Sequence, residues 1–188
     1  KYSEVYEFTP SLYWVVNNGL RGLFSVSDNR LVIPAEYDNI SKCTEDLYDV
    51  CKDNIDGLFS ISAGKLLLPV AYNVIYKRTD DLFEVVRNKL GGFFSVSAGK
   101  FILPLEFGDI YMIAKNLYGV AKDGLHGIFS VSTRKFAIPV EFDGVTRINR
   151  DLYDVEKNGL HGLFSISAGK LLLPIKYISI GVKKGEVI

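Results

Sequence analysis

Two histidines, two cysteines, a ladder of serines and a set of carboxylates are the residues in this 188-residue chain with chemistry to offer. His126 and His161 are the only histidines and fall 35 residues apart. A metal site would need both rings within bonding distance and further ligands besides. Serines recur in pairs, Ser25/Ser27, Ser60/Ser62, Ser95/Ser97, Ser130/Ser132 and Ser165/Ser167. Nucleophilic catalysis needs a base beside the hydroxyl and a third group to orient that base. Five like pairs, with a histidine in only two copies, do not supply it. Small hydroxyls that bond to turn backbone account for them better. Asp49, Glu84 and Asp154 share one recurring position. Glycoside hydrolysis needs two carboxylates at a defined separation, one of them perturbed by burial, so a solvated strand face is the expected reading. Cys43 and Cys51 read as free thiols. In a hairpin turning near Glu45-Asp46, Cys43 would face Tyr48 and Cys51 would face Ile40, so the sulfurs would not be cross-strand partners for a disulfide. No G-x-G-x-x-G or Walker sequence occurs, and nothing calls for a cofactor or a metal.

These residues are carried by a frame that repeats. The stretch Gly159 to Pro174 has copies at Gly19 to Pro34, Asn54 to Pro69, Lys89 to Pro104 and Gly124 to Pro139, each 35 residues from the next. A fixed period of this size marks a repeat architecture. The register gives one repeat domain over 1–188, with repeats at 1–35, 36–70, 71–105, 106–140 and 141–175 and a partial sixth at 176–188. Each repeat opens with an aromatic, Tyr2, Tyr37, Tyr72, Phe107, Phe142 or Tyr177, followed three residues on by Val or Ile. That reads as a first strand. A polar turn such as Thr44-Glu45-Asp46 leads to a second strand, Leu47-Tyr48-Asp49-Val50 in the second copy. An Asn/Asp/Gly turn follows, as in Asn158-Gly159, which is a strong hairpin signal because both central residues take positive φ. The third strand is Gly-x-Phe-Ser-Val/Ile-Ser. Its phenylalanines share a face with the next Val or Ile, and its serines point the other way. A short fourth strand ends at a proline, where no ladder bond is needed. No stretch has helical periodicity. The fold class is all-β, with three to four short antiparallel strands per repeat.

Charge and hydropathy narrow the function. Lys+Arg and Asp+Glu number 22 each, which argues against nucleic acid, whose partners show a basic face or stripe. No apolar run approaches the length of a spanning helix, so membrane insertion is not expected. Hydrophobic residues make up 48% of the chain, enough to bury a core.

Within the frame, two positions accept almost any residue. One holds Trp14, Asp49, Glu84, Gly119 and Asp154; the other holds Arg21, Asp56, Gly91, His126 and His161. They flank the same hairpin. The candidate binding residues are therefore Trp14, Arg21, Asp49, Asp56, Glu84, His126, Asp154 and His161. Trp14 is the single tryptophan, and an exposed tryptophan is a common interface anchor.

The pattern of hairpin, x-Gly-hydrophobic-hydrophobic, turn, Gly-Lys, apolar-Pro and x-aromatic-Asp-x-Ile resembles the bacterial WG-repeat proteins. Gly22, Gly57, Gly92, Gly127 and Gly162 carry the likeness, with the prolines from Pro34 to Pro174 and segments such as Glu36-Tyr37-Asp38-Asn39-Ile40. The tryptophan of the motif is replaced in every copy, by Arg21, Asp56, Gly91, His126 and His161. The resemblance implies a non-enzymatic β-repeat scaffold with a binding or structural role, extracellular or at the cell surface. An open superhelical β-solenoid-like array is expected, with a closed five-bladed β-propeller as the alternative, because 35 residues are short for a four-stranded propeller blade. The expected partner is a protein, or another copy through the array ends, where the first repeat keeps Leu12, Tyr13, Val15 and Phe24 like any internal copy and Ile178 to Val182 would leave an open strand edge. The alternative is a lectin-like protein with near-equal glycan sites, one per repeat.

Overall fold

In the computed structural model, which describes residues 2–183 and 186–187, the chain is a succession of antiparallel meanders. The first sheet runs β1 (Glu4–Thr9), β2 (Leu12–Asn17), β3 (Leu20–Ser25), β4 (Arg30–Tyr37). The second is β5 (Asn39–Lys42), β6 (Leu47–Lys52), β7 (Ile55–Ser60), β8 (Lys65–Tyr72), and the third β9 (Val74–Lys77), β10 (Leu82–Arg87), β11 (Leu90–Ser95), β12 (Lys100–Phe107). The fourth is β13 (Asp109–Ala114), β14 (Leu117–Lys122), β15 (Leu125–Ser130), β16 (Lys135–Phe142), and the fifth β17 (Gly144–Arg147), β18 (Leu152–Lys157), β19 (Leu160–Ser165), β20 (Lys170–Tyr177). Each of these five sheets has four strands in chain order and none closes into a barrel, which is the arrangement of a tandem β-repeat array. The chain divides into two compact units, Lys1–Leu105 and Glu106–Ile188.

The hairpin between second and third strands forms as its sequence predicts. Its two central residues both take positive φ, as at Asn18 and Gly19 (51° and 80°). The third copy has no glycine there, and Lys89 itself adopts φ 66°. The turn is braced from outside: Asp38, Asn73 and Asp143 each accept the N–H of the first turn residue, Asp53, Asn88 and Asn158.

The fourth strand differs from expectation. It is eight residues long and runs through the proline to the aromatic, so Tyr37, Tyr72, Phe107, Phe142 and Tyr177 close a sheet rather than open the next repeat. Cross-strand pairing explains how. Arg21 faces Tyr37 and Leu23 faces Ile33, so three residues of β4 bulge opposite Gly22 alone. The proline lies in this bulge, where its missing N–H costs no ladder bond. The bulge presses backbone onto the glycine. A Cβ on Gly92 would meet the Leu103 carbonyl oxygen at 2.6 Å and that of Pro104 at 2.7 Å. Gly22 and Gly127 are equally tight against backbone.

The serines do turn away from the phenylalanines, but into burial. Ser95 is wholly buried, and its hydroxyl donates to Asp81 Oδ2 at 2.9 Å and accepts from the Ala98 N–H. Ser60 with Asp46 and Ser165 with Asp151 repeat the arrangement, and in all three the carboxylate also accepts the N–H of the second serine of the pair. These bonds hold Asp151 below the usual carboxylate range, the Ser167 N–H contributing most. For Asp46, burial pushes the other way but is outweighed by Ser62 and Ser60.

Sheets stack face to face within each unit. Leu23 and Ile33 of the first sheet cover Ile40, Tyr48, Val50 and Phe59 of the second. Leu58 and Leu68 of the second cover Ile75, Phe83, Val85 and Phe94 of the third. In the second unit, Ile128 and Ile138 cover Tyr153, Val155 and Phe164. Every sheet thus has a leading face, bearing the residues like Tyr48 and Val50, and a trailing face, bearing those like Leu58 and Leu68.

Two local expectations are corrected. In β5–β6 Cys51 faces Asn39, while Ile40 faces Val50, one residue off the expected register; both cysteines are free. Among the described residues the partial sixth repeat builds no counterpart of the first strand: residues 178–181 are irregular, and β21 (Val182–Lys183) pairs antiparallel with β22 (Glu186–Val187). The expected open edge there reaches Val182, whose side chain lies outside the described residues.

Three substitutions along β11 test this account by denaturant titration. Gly92→Ala is expected to cost about 2–4 kcal/mol, because backbone must move. Phe94→Ala should cost about 3–5 kcal/mol. Ser95→Ala should cost about 1–3 kcal/mol, since Asp81 loses a buried donor. Gly108→Ala, where a Cβ meets nothing within 4 Å, should be near neutral.

Candidate interaction surface

The two variable positions of each repeat come together. In the first sheet Trp14 faces Leu23 and Val16 faces Arg21, so Trp14 and Arg21 lie on the trailing face, diagonal across one hairpin. The same register holds in the other sheets. Each pair has different chemistry. The Arg21 guanidinium carbon sits 5.8 Å from the centre of the Trp14 ring, within cation–π range. Asp154 accepts from His161 Nδ1 at 2.9 Å when that nitrogen carries the proton. Glu84 is opposite Gly91's strand but pairs with Arg78, whose Nε and Nη2 both donate to Oε2 at 2.8 and 2.6 Å. Gly119, diagonal to His126, lies beneath the Tyr111 ring, where a Cβ would approach Cζ at 2.3 Å. Asp49 and Asp56 put two carboxyl groups together.

The solvated face expected for these carboxylates is not what forms. Glu84 is buried, at 7% exposure, and Asp49 is half-buried. Oδ1 of Asp49 is enclosed and has no hydrogen-bond partner. Burial, with the Asp56 charge second, pushes the Asp49 carboxyl up to about 7. The neighbouring Cys51 thiol is pushed up to about 11, by burial first and then by its bond to Asp56, so it stays protonated and weakly nucleophilic at neutral pH. The burial of Asp49 was not visible in the sequence, because the sheet packed on the face it shares with Leu58 comes 35 residues later. The signal that was available is Arg78, which stands with Glu84 alone; the other copies have Phe8, Cys43, Ile113 and Ile148 at that position.

The first sheet adds a cleft of about 500 Å³ to its pair, lined by Glu4, Tyr6, Trp14, Val16, Gly19 and Arg21. Tyr6 faces Trp14 across β1–β2, and Phe8 braces Trp14 edge-on at 4.8 Å. Arg21 Nη1 donates to Asn39 Oδ1 at 3.1 Å. Five unlike pairs do not form a row of near-equal sites. Among the described residues, no group of three or more His, Cys, Asp or Glu side chains is placed to hold a metal ion, and no helix is long and apolar enough to cross a membrane.

Fold and surface together define an all-β repeat scaffold of the interaction-mediating kind. The WG containing repeat family matches at residues 27–54, 97–125 and 132–160. Each matched segment begins in the turn before a fourth strand and ends at the next sheet's hairpin. No curated protein matches the sequence. Among solved structures, Kluyveromyces lactis Hsv2 is 13% identical, with a TM-score of 0.38 over 86% of this chain and 59% of its own. A chain of the mitotic checkpoint complex is 9% identical, with a TM-score of 0.36 over 95% of this chain and 65% of its own. The chain thus spans less than two thirds of the length of either.

The Asp49 site gives stability a pH dependence of defined sign. Its folded pKa lies above the unfolded carboxylate value of about 3.9. Its contribution is therefore whole below pH ~4 and is lost as pH rises toward ~7, with little change beyond. Asp49→Asn should remove that loss. Thermal melts at pH 8 should show the variant more stable than the parent by about 1–2 kcal/mol, allowing for solvent screening of a half-buried group, with the difference shrinking by pH 5.

Proposed function

We propose that this chain is an assembly scaffold that docks through the leading face of its first sheet, and that the partner is the trailing face of a repeat in a second copy. The supporting observation is a groove of about 340 Å³ lined by Tyr2, Val5, Tyr13, Val15, Phe24 and Val26. Val5 is 57% exposed, whereas its equivalents Ile40 and Ile75 are 2% and 8% exposed. Ile40, Tyr48, Val50 and Phe59 are covered by Leu23 and Ile33 of the preceding sheet. Val5, Tyr13, Val15 and Phe24 are the same residues one repeat earlier, so the surface that fits them is a trailing face like that of Leu23 and Ile33. A contiguous apolar patch of this kind marks an association surface. A role in a bacterial surface, secreted or effector protein is the reading the WG-repeat likeness favours.

Sedimentation velocity across a concentration series tests the docking. The parent is expected to associate reversibly. Val5→Lys, at a position exposed in the isolated fold, is expected to be monomeric with an unchanged circular dichroism spectrum. A parent that is monomeric at every concentration, or association that Val5→Lys leaves intact, would refute the proposal.

A further inference from the structure

The cleft on the other face of the first sheet is independent of that docking groove, and we infer that it binds a neutral polyhydroxyl ligand, a pyranose unit of a glycan. Its wall is aromatic: Trp14 is half-buried and braced by Phe8, and Tyr6 is 55% exposed beside it. Its polar groups are one anion and one cation, held separately. Glu4 Oε2 accepts the Tyr6 hydroxyl, which leaves Oε1 able to accept from a ligand. Arg21 is stacked over Trp14 and tethered by Nη1 to Asn39, which leaves Nε and Nη2 to donate. Asn39 is itself steadied by a bond from its amide to Ser41 at 3.4 Å.

This set selects by charge and by shape. A net anion would meet Glu4 and a net cation would meet Arg21, so a neutral ligand is favoured. Adjacent hydroxyls of a sugar each donate and accept, and so match a carboxylate and a guanidinium together. The C–H face of the ring supplies the flat apolar surface that Tyr6 and Trp14 would cover. A volume of about 500 Å³ lies within the range of small-ligand sites. None of the other four repeats keeps this combination: the counterparts of Tyr6, Trp14 and Arg21 are Ser41, Asp49 and Asp56, then Tyr76, Glu84 and Gly91, then Tyr111, Gly119 and His126, then Thr146, Asp154 and His161. One site per chain is therefore expected.

Trp14 is the only tryptophan, so intrinsic tryptophan fluorescence reports on this cleft alone. The parent protein is titrated with methyl glycosides of glucose, galactose, mannose and N-acetylglucosamine, and separately with the zwitterion glycylglycine. A saturable emission change with at least one glycoside is expected, with a stoichiometry of one and little dependence on salt. Arg21→Ala should weaken it at least about tenfold and Glu4→Gln about fivefold, both with unchanged circular dichroism. The inference is overturned by no saturable change with any glycoside, by binding that both variants retain, or by a response to glycylglycine alone that fades with salt.

Discussion

The close approach of the fourth strand to the glycine of the third is the constraint on which the rest of each repeat depends. At Gly92 the backbone of Leu103 and Pro104 comes nearer than any side chain would permit. That approach is produced by the bulge, and the bulge is tolerable because its proline has no N–H to leave unpaired. The bulge resets the register so that Tyr37 ends opposite Arg21 and Tyr72 opposite Asp56. The aromatic is thereby brought onto the trailing face, where Tyr37 and Tyr72 join the cores of the first unit. Glycine, proline and aromatic are one device, and a repeat that lost the glycine would lose the placement of the other two.

The stacking of sheets follows from that device and leaves little freedom near the centre. Val50, Val85 and Tyr48 are wholly buried, as are Leu23, Ile33 and Leu58 facing them. Freedom remains where trailing-face residues approach the first strand. There the frame tolerates a cation–π stack, a carboxyl pair, a buried Glu84–Arg78 bridge, a glycine under Tyr111 and a His161–Asp154 bond. The buried bridge shows that this tolerance has conditions. Glu84 is accepted inside because Arg78 donates two hydrogen bonds to it, and a buried carboxylate without such a partner is costly. Asp49 meets the same condition differently, by holding its proton toward neutral pH.

The serine ladder shows how local chemistry and stacking cooperate. Thr44 and Thr79 accept two backbone N–H groups each and tie the turn before the second strand. The same turns aim Asp46 and Asp81 at buried Ser60 and Ser95 across the sheet. Repeats one and four carry Ser11 and Asn116 at that position, so three of the five copies hold the carboxylate clamp. The serines were legible as polar residues with turn partners. Their burial was not, because a hydroxyl and its carboxylate partner are separated by 14 residues and both are hydrophilic.

By itself the sequence determined what is local or repeats: the 35-residue period, the all-β class, three to four antiparallel strands per copy, and hairpins whose Asn, Asp and Gly residues take positive φ. These follow from backbone sterics and from side-chain alternation, which act within a few residues. Only the tertiary structure decided what depends on the neighbouring strand or sheet. The fourth strand reaches past Pro34 to Tyr37 because of a bulge set by its partner strand. Cys51 pairs one residue away from its expected place, since turn length, not alternation, sets register. Ile40 is buried because the face bearing Leu23 and Ile33 covers it, while Val5, its counterpart one repeat earlier, is exposed. Alternation says that a strand has two faces; which of them is covered is a property of the stack.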